Sequence, residues 1–128
     1  MTEGPSDIGE TVETTVYFNP DCRQSCRLEE ILDERRIPYT EVRYLHQMPS
    51  VDELTHVLSL LSGDPIQAVR VDGLAALGLR EEEYRTIEQV AGLLHANPHL
   101  LERPILVRGN RAIIARPAEM ALGFLTET

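Results

Sequence analysis

The sequence contains no lysine, and it has only two cysteines among its 128 residues. Without lysine, the chain has neither a side-chain amine for a Schiff base nor the lysine of a phosphate-binding loop. Two cysteines are too few for the disulfide framework of a small secreted domain. All twelve basic residues are therefore arginine. Genomic composition is the simplest explanation of that bias, although the planar donors of arginine also suit tetrahedral oxyanions.

Long apolar runs and a surplus of positive charge are also lacking. No window of about 18 apolar residues is present, so the sequence predicts no membrane span. Residues 1–7 have neither a basic start nor an apolar centre, so we expect no secretory signal and a protein of the reducing cytoplasm. The formal net charge is −9. It argues against direct nucleic-acid binding, which depends on Lys and Arg neutralising phosphates.

The length of the chain fits one domain with a sizeable core. Residues 1–13 are acidic and polar and include glycine and proline, which predicts a disordered extension. We expect residues 14–128 to form the single domain, and we expect a monomer.

One cysteine lies where a predicted strand meets a predicted helix. The β-branched run Thr14–Phe18 is followed by Asn19-Pro20-Asp21-Cys22, and a helical pattern then continues to about Arg36. A helix N-terminus carries partial positive charge and free N–H donors, and both favour a thiolate. Such thiols have pKa values below the free value of about 8.5. Cys22 is therefore the candidate nucleophile.

The chain continues with alternating and helical patterns. Residues 39–45 alternate and predict a second strand, parallel to the first because a helix separates them. Ser50 and Glu53 form a capping box for the next helix. Residues 66–80 are short and mixed, and residues 81–96 predict a helix whose first turn is the acidic run Glu81-Glu82-Glu83.

The last third predicts a β-hairpin and a helix. Residues 105–107 and 112–115 flank Gly109-Asn110, a tight-turn pair, and the final helix covers 118–125. The order is βαβ, a helical insert, then ββα. This order predicts an α/β, thioredoxin-like fold of the glutaredoxin type, with a mixed four-stranded sheet. Pro104 opens the third strand, where that fold places a proline, usually cis, that faces the thiol.

Three motifs occur in order along this pattern: Asn19, Pro20 and Cys22, then Arg103-Pro104, then Arg116-Pro117. Together they resemble the ArsC/Spx family, and more closely its glutaredoxin-coupled arsenate reductases. The resemblance covers about residues 14–126.

The resemblance implies a mechanism and a set of reactants. In that family the cysteine that matches Cys22 attacks arsenate, and arginines that match Arg103 and Arg116 hold the oxyanion. Glutathione is a co-substrate, no cofactor is bound, and glutaredoxin or thioredoxin is the protein reductant. The product is arsenite.

Some positions depart from the family pattern or have two interpretations. Phe18 stands where the reductases usually have histidine, and the third oxyanion arginine falls at about Gln67, with Arg70 near enough to replace it. Asn19 belongs to the substrate-binding motif. Ser25 either donates to the thiolate or simply belongs to the start of the helix.

Cys26 also has two interpretations. Residues i and i+4 of a helix have Cβ atoms about 5–6 Å apart, whereas a disulfide needs about 3.5–4.5 Å. Cys26 therefore resolves an oxidised Cys22 only if the first helical turn loosens, and otherwise it is buried and inert. The four histidines have no ligand spacing, so we expect no metal site.

Two other functions remain open beside the reductase. One is an Spx-like redox-sensing transcriptional regulator that acts by protein contact. The other is a glutathione-dependent thiol reductase, similar to YffB, without arsenate activity.

Overall fold

The computed structural model describes residues 12–126, so residues 1–11 of the predicted disordered extension lie outside it. The described chain has four strands and four α-helices, named here in chain order: β1 Thr14–Tyr17, α1 Arg23–Glu34, β2 Thr40–Val42, α2 Val51–Leu60, α3 Ile87–Ala96, β3 Ile105–Arg108, β4 Arg111–Ile114 and α4 Met120–Thr126. Short 3₁₀ turns fill the insert between α2 and α3. No helix in residues 12–126 is long and apolar enough to cross a membrane.

The four strands form one mixed sheet in the order β2-β1-β3-β4. Strand β2 is parallel to β1, whereas β3 is antiparallel to both β1 and β4. The predicted hairpin is confirmed, and Gly109 has φ +61° at its turn, a conformation that glycine adopts without a steric penalty. The predicted thioredoxin-like architecture is therefore confirmed.

The strand register brings three distant segments to one edge of the sheet. Tyr17, at the end of β1, pairs with Ile105, at the start of β3, and Ile105 pairs with Ile114, at the end of β4. The segment after β1, the segment before β3 and the segment after β4 are therefore neighbours. The peptide bonds of Arg103-Pro104 and Arg116-Pro117 are both cis.

Helices cover both faces of the sheet. On one face, α1 and α4 pack against Val16 and Leu106, which are fully buried. The buried residues of α1 recur at helical spacing and form its apolar face: Leu28, Ile31 and Leu32. On the other face, α2, α3 and the insert form a second core cluster.

The predicted helix over 81–96 is wrong in its first turn. Glu81–Glu83 is a separate 3₁₀ turn, and α3 begins at Ile87. The Thr86 side chain accepts a hydrogen bond from Gln89 N at 3.1 Å, and Gln89 Oε1 accepts one from Thr86 N at 3.0 Å. This capping box fixes the helix start after the acidic run.

The second strand is shorter than predicted. It ends at Val42, and the backbone turns at Arg43, whose carbonyl accepts hydrogen bonds from His46 N and Gln47 N at 2.9 Å. The turn takes Tyr44 out of the strand and into the core, where it is fully buried.

Candidate active site

Cys22 is the N-cap residue of α1, at the junction that the sequence predicts. Its backbone is extended (φ −102°, ψ 119°), and its N–H donates to the Asn19 carbonyl at 3.0 Å. Phe18 N donates to Val42 O at 2.8 Å, which ties the segment after β1 to β2. Cys22 as a whole is only 6% exposed.

The environment of the sulfur favours its ionised form. Burial raises the pKa of Cys22, but hydrogen-bond donors outweigh it, and the pKa is lowered to about 7. In order of effect, these donors are the Ser25 hydroxyl, the Ser25 N–H, the Arg103 side chain and the Gln24 N–H. Two of them are backbone donors of the first helical turn, as expected for a thiol at a helix N-terminus.

Arg116 and Arg103 converge on this thiol. Arg116 Nη1 lies 3.5 Å from Cys22 Sγ and donates to the Arg103 carbonyl at 3.0 Å. Arg116 Nε is 3.7 Å from a carboxylate oxygen of Glu102. Arg103 Nε is buried, and no residue of the described chain accepts a hydrogen bond from it. The structure thus brings together the three residues predicted to be catalytic.

Asn19 and Ser25 hold the loop in front of the thiol. Asn19 Oδ1 accepts from Asp21 N at 2.9 Å, an Asx turn, and Asn19 N donates to Ser25 Oγ at 3.3 Å. Ser25 is fully buried and Asn19 is 8% exposed. Both predicted residues therefore lie at the site, and both contact the loop itself.

Gln67 and Arg70 are placed differently. The Gln67 side chain is exposed and donates to the Ser62 carbonyl, in the loop after α2. Arg70 is half-buried, and its N–H donates to Leu100 O at 2.7 Å. The charge of Arg70, like that of Arg103, acts on the Tyr44 hydroxyl. Of the two candidates for a third anion contact, Arg70 is the one whose charge reaches this hydroxyl.

Cys26 is exposed, so the expectation of a buried Cys26 is wrong. Both cysteines are free, and the Cys26 thiol donates to the Pro20 carbonyl at 3.6 Å. Its N–H bonds to the Cys22 carbonyl at 3.1 Å as part of the first helical turn. The side chain faces solvent because it lies on the side of α1 away from the apolar face.

The sequence patterns do not predict the roles of two residues at the site, Gln24 and Tyr44. Gln24 Oε1 accepts from Ala118 N at 2.7 Å and so ties α1 to the segment after Arg116-Pro117. Nothing local indicates this contact, since its partners are 94 positions apart. The Tyr44 hydroxyl accepts from Asn19 Nδ2 at 3.5 Å. A buried tyrosine normally has a hydrogen-bond partner, which is the available signal for a role beyond packing.

Charged neighbours of the site are paired at the surface. The Arg43 guanidinium lies 5.3 Å from the centre of the Phe18 ring and bonds Glu41 at 2.6 Å. Arg27 bonds Glu30 at 3.1 Å and Glu119 at 3.3 Å. Within residues 12–126, no three His, Cys, Asp or Glu side chains are grouped so that they could hold a metal ion.

Known proteins share this sequence pattern and this fold. The model of the ArsC family matches residues 11–124. An arsenate reductase of Escherichia coli is 31% identical over 116 residues, which cover 88% of this chain and 81% of that protein. The regulatory protein MgsR of Bacillus subtilis is 32% identical over 111 residues, which cover 84% of this chain and 87% of MgsR.

Solved structures agree with these sequence relatives. A putative arsenate reductase from Yersinia pestis superposes with a TM-score of 0.77 at 34% identity, covering 87% of this chain and 99% of that one. An arsenate reductase from Vibrio cholerae gives a TM-score of 0.74 at 26% identity, covering 88% and 97%. With a family match over most of its length and relatives above 30% identity, the chain belongs to the ArsC family.

Proposed function

We propose that the protein reduces arsenate to arsenite through a covalent bond between Cys22 and arsenic. The Cys22 thiolate attacks As(V), and an arsenate oxygen leaves as water. Glutathione displaces a second oxygen in the same way. A glutaredoxin thiol then attacks the glutathione sulfur, and these two sulfurs form a mixed disulfide. The electron pair of the broken arsenic–glutathione bond stays on arsenic, which becomes As(III). Hydrolysis releases arsenite and restores Cys22.

The observation that supports this proposal best is the convergence of Cys22, Arg103 and Arg116. A thiolate and an oxyanion repel each other unless positive groups screen both, and two arginines with the N–H groups of a helix N-terminus provide that screening. Cys22 is only 6% exposed, and charge interactions are stronger at a buried group than in water. Arg103 Nε is buried, and no described residue accepts a hydrogen bond from it. It is therefore a donor available to such an anion.

Two cysteine variants test the reaction. In an assay that couples arsenate reduction to glutathione and glutaredoxin, Cys22→Ser is expected to abolish turnover, and Cys26→Ser to retain it. The same assay with thioredoxin identifies the protein reductant. Retained turnover in Cys22→Ser contradicts the assignment.

We place the reaction in the cytoplasm, with glutathione as co-substrate, no bound cofactor, and a monomeric protein without direct contact to nucleic acid.

A redox-sensing regulator is the second candidate. It is favoured by the exposed Cys26 four residues after Cys22 and by the similarity to MgsR, which is named a regulatory protein. Such a protein would bind RNA polymerase subunits differently before and after oxidation. A pull-down under both conditions, beside the arsenate assay, separates the two functions. Turnover of glutathione mixed disulfides without arsenate reduction would instead indicate the thiol reductase.

A further inference from the structure

Tyr44 combines complete burial with a polar contact to the loop that holds the thiol. The side chain is 0% exposed, and its hydroxyl accepts from Asn19 Nδ2 at 3.5 Å. The hydroxyl also lies within the electrostatic influence of Cys22, Arg103 and Arg70. Packing alone would be served by phenylalanine at this position. The hydroxyl group therefore has a role that the apolar core does not explain.

Asn19 is the link between this hydroxyl and the thiol. Its Oδ1 accepts from Asp21 N at 2.9 Å, so its amide nitrogen must point the other way, toward Tyr44. Its backbone carbonyl accepts from Cys22 N at 3.0 Å, and its backbone N–H donates to Ser25 Oγ at 3.3 Å. A single residue thus contacts Tyr44, Cys22 and Ser25.

Ser25 completes the chain of contacts. Its oxygen accepts from Asn19 N, and the same hydroxyl contributes more than any other donor to lowering the Cys22 pKa. The residue is fully buried, so water does not replace a lost partner. Any shift of the Asn19 backbone moves the acceptor geometry of Ser25 with it.

We propose that Tyr44 is a positioning residue for the reactive sulfur, since its buried hydroxyl fixes Asn19, and Asn19 holds the Ser25 hydroxyl against Cys22. The inference rests on Cys22 as the reactive residue of the proposed function, but not on arsenate as its substrate. The charged groups that face the sulfur are Arg103 and Arg116, and Asp21 is exposed on the loop; Tyr44→Phe alters none of these side chains.

The test is the pH profile of Cys22 alkylation by iodoacetamide, measured with Cys26→Ser as the parent so that one thiol reacts. Tyr44→Phe keeps the ring and removes the hydroxyl. We expect the apparent pKa of Cys22 to rise by about half a unit to one unit, the size of one lost hydrogen bond. The alkylation rate about one unit below the parent pKa then falls roughly threefold to tenfold.

Tyr17→Phe is the matched control, because Tyr17 is also buried, at 6% exposure, and its hydroxyl lies near Glu53. It is expected to leave the profile unchanged. Ser25→Ala is the second background: there, Tyr44→Phe should produce no further shift. If Tyr44→Phe folds poorly by circular dichroism, Asn19→Ala must give the same rise.

Three results would overturn the proposal. Tyr44→Phe could leave the apparent pKa of Cys22 unchanged, or it could shift that pKa fully even in the Ser25→Ala background. The third is a shift in Tyr17→Phe equal to that in Tyr44→Phe. The alkylation assay contains no arsenate, so it tests the role of Tyr44 even if the protein proves not to reduce arsenate. Conversely, a reductase that turns over normally in Tyr44→Phe with an unchanged thiol profile would reject the positioning role alone.

Discussion

Arg116 Nη1 lies 3.5 Å from the sulfur of Cys22, although 94 positions separate the two residues along the chain. The sheet produces this contact, because β3 runs antiparallel to β1 and β4 returns beside β3. The same guanidinium bonds the Arg103 carbonyl at 3.0 Å. One arginine therefore ties together the thiol and both cis Arg-Pro segments.

Replacing Arg116 with methionine should impair both the thiol and the binding of the oxyanion. Methionine keeps much of the length but removes the charge and the donors. A hydrogen bond from a charged group contributes about 1.5–3 kcal/mol, so we expect the KM for arsenate to rise about tenfold to a hundredfold. Steady-state kinetics with glutathione and glutaredoxin measures the effect.

Arg108→Met is the control for this substitution. Arg108 also belongs to the hairpin, but its Nη1 bonds Thr14 Oγ1 at 2.7 Å, at the opposite end of β1. Its loss is expected to leave the KM for arsenate within about twofold of the parent. Equal effects of the two substitutions would mean that Arg116 acts through the fold and not at the anion.

The sequence predicts the parts of this site that local chemistry determines. Cys22 is identifiable because an apolar β-branched run changes to helical spacing at that residue. Pro104 and the turn at Gly109 are identifiable because proline fixes its own φ, whereas glycine adopts the positive φ of a tight turn without a steric penalty. The order of the elements predicts the mixed four-stranded sheet, and the resemblance to the ArsC/Spx family implies that Cys22, Arg103 and Arg116 meet.

The parts that the sequence does not predict depend on long-range contacts or on competing local signals. The acidic run at Glu81–Glu83 indicates a helix start, but the capping box of Thr86 and Gln89 prevails. Tyr44 fits the alternation of a strand, yet the turn at Arg43 takes it into the core. The contact of Gln24 with Ala118 has no local signature, because the Gln24 side chain accepts from a backbone N–H that is 94 positions away.

Cys22 reactivity should depend on pH around neutrality. The pKa of Cys22 is lowered to about 7, so alkylation of the Cys26→Ser protein is expected to reach half its limiting rate near that pH. Ser25→Ala removes the donor that lowers this pKa most, so its profile should move to higher pH. A midpoint near the free thiol value of about 8.5 in the Cys26→Ser protein would contradict the described environment.

The same shift predicts how folding stability depends on pH. The folded-state pKa of Cys22 is below its unfolded value, so the thiolate stabilises the fold fully above the unfolded value of about 8.5. That contribution is lost as pH falls through about 7. Urea unfolding should therefore show a larger stability difference between Cys26→Ser and the double variant Cys22→Ser/Cys26→Ser at about pH 9 than at about pH 6. A difference that is independent of pH would reject this linkage.

Arg70 and Gln67 should contribute unequally to oxyanion binding. The charges of Arg70 and of Cys22 both act on the Tyr44 hydroxyl, whereas the Gln67 amide bonds the Ser62 carbonyl on an exposed loop. We expect Arg70→Ala to raise the KM for arsenate about tenfold, and Gln67→Ala to leave it within about twofold. The reverse order would restore Gln67 as the third anion contact and exclude Arg70 from that role.

Gln24 should position Arg116 without touching the reacting atoms. Its Oε1 accepts from Ala118 N at 2.7 Å, two residues after Arg116, and Ala118 is fully buried. In Gln24→Ala that N–H loses its acceptor, which costs about 1–3 kcal/mol of the free energy of unfolding. The KM for arsenate should also rise, because the segment from Arg116 to Ala118 is then held less firmly. Urea unfolding and steady-state kinetics measure the two effects.

Gln24→Glu separates this role from simple loss of packing. Glutamate keeps an acceptor oxygen at the same length, so it should recover most of the stability lost in Gln24→Ala. Gln67→Ala is the matched control, since that glutamine bonds an exposed carbonyl and water can replace it. If Gln24→Ala loses stability while its KM for arsenate stays unchanged, the contact with Ala118 supports only the fold, and the position of Arg116 must be set by Arg103 and Glu102 instead.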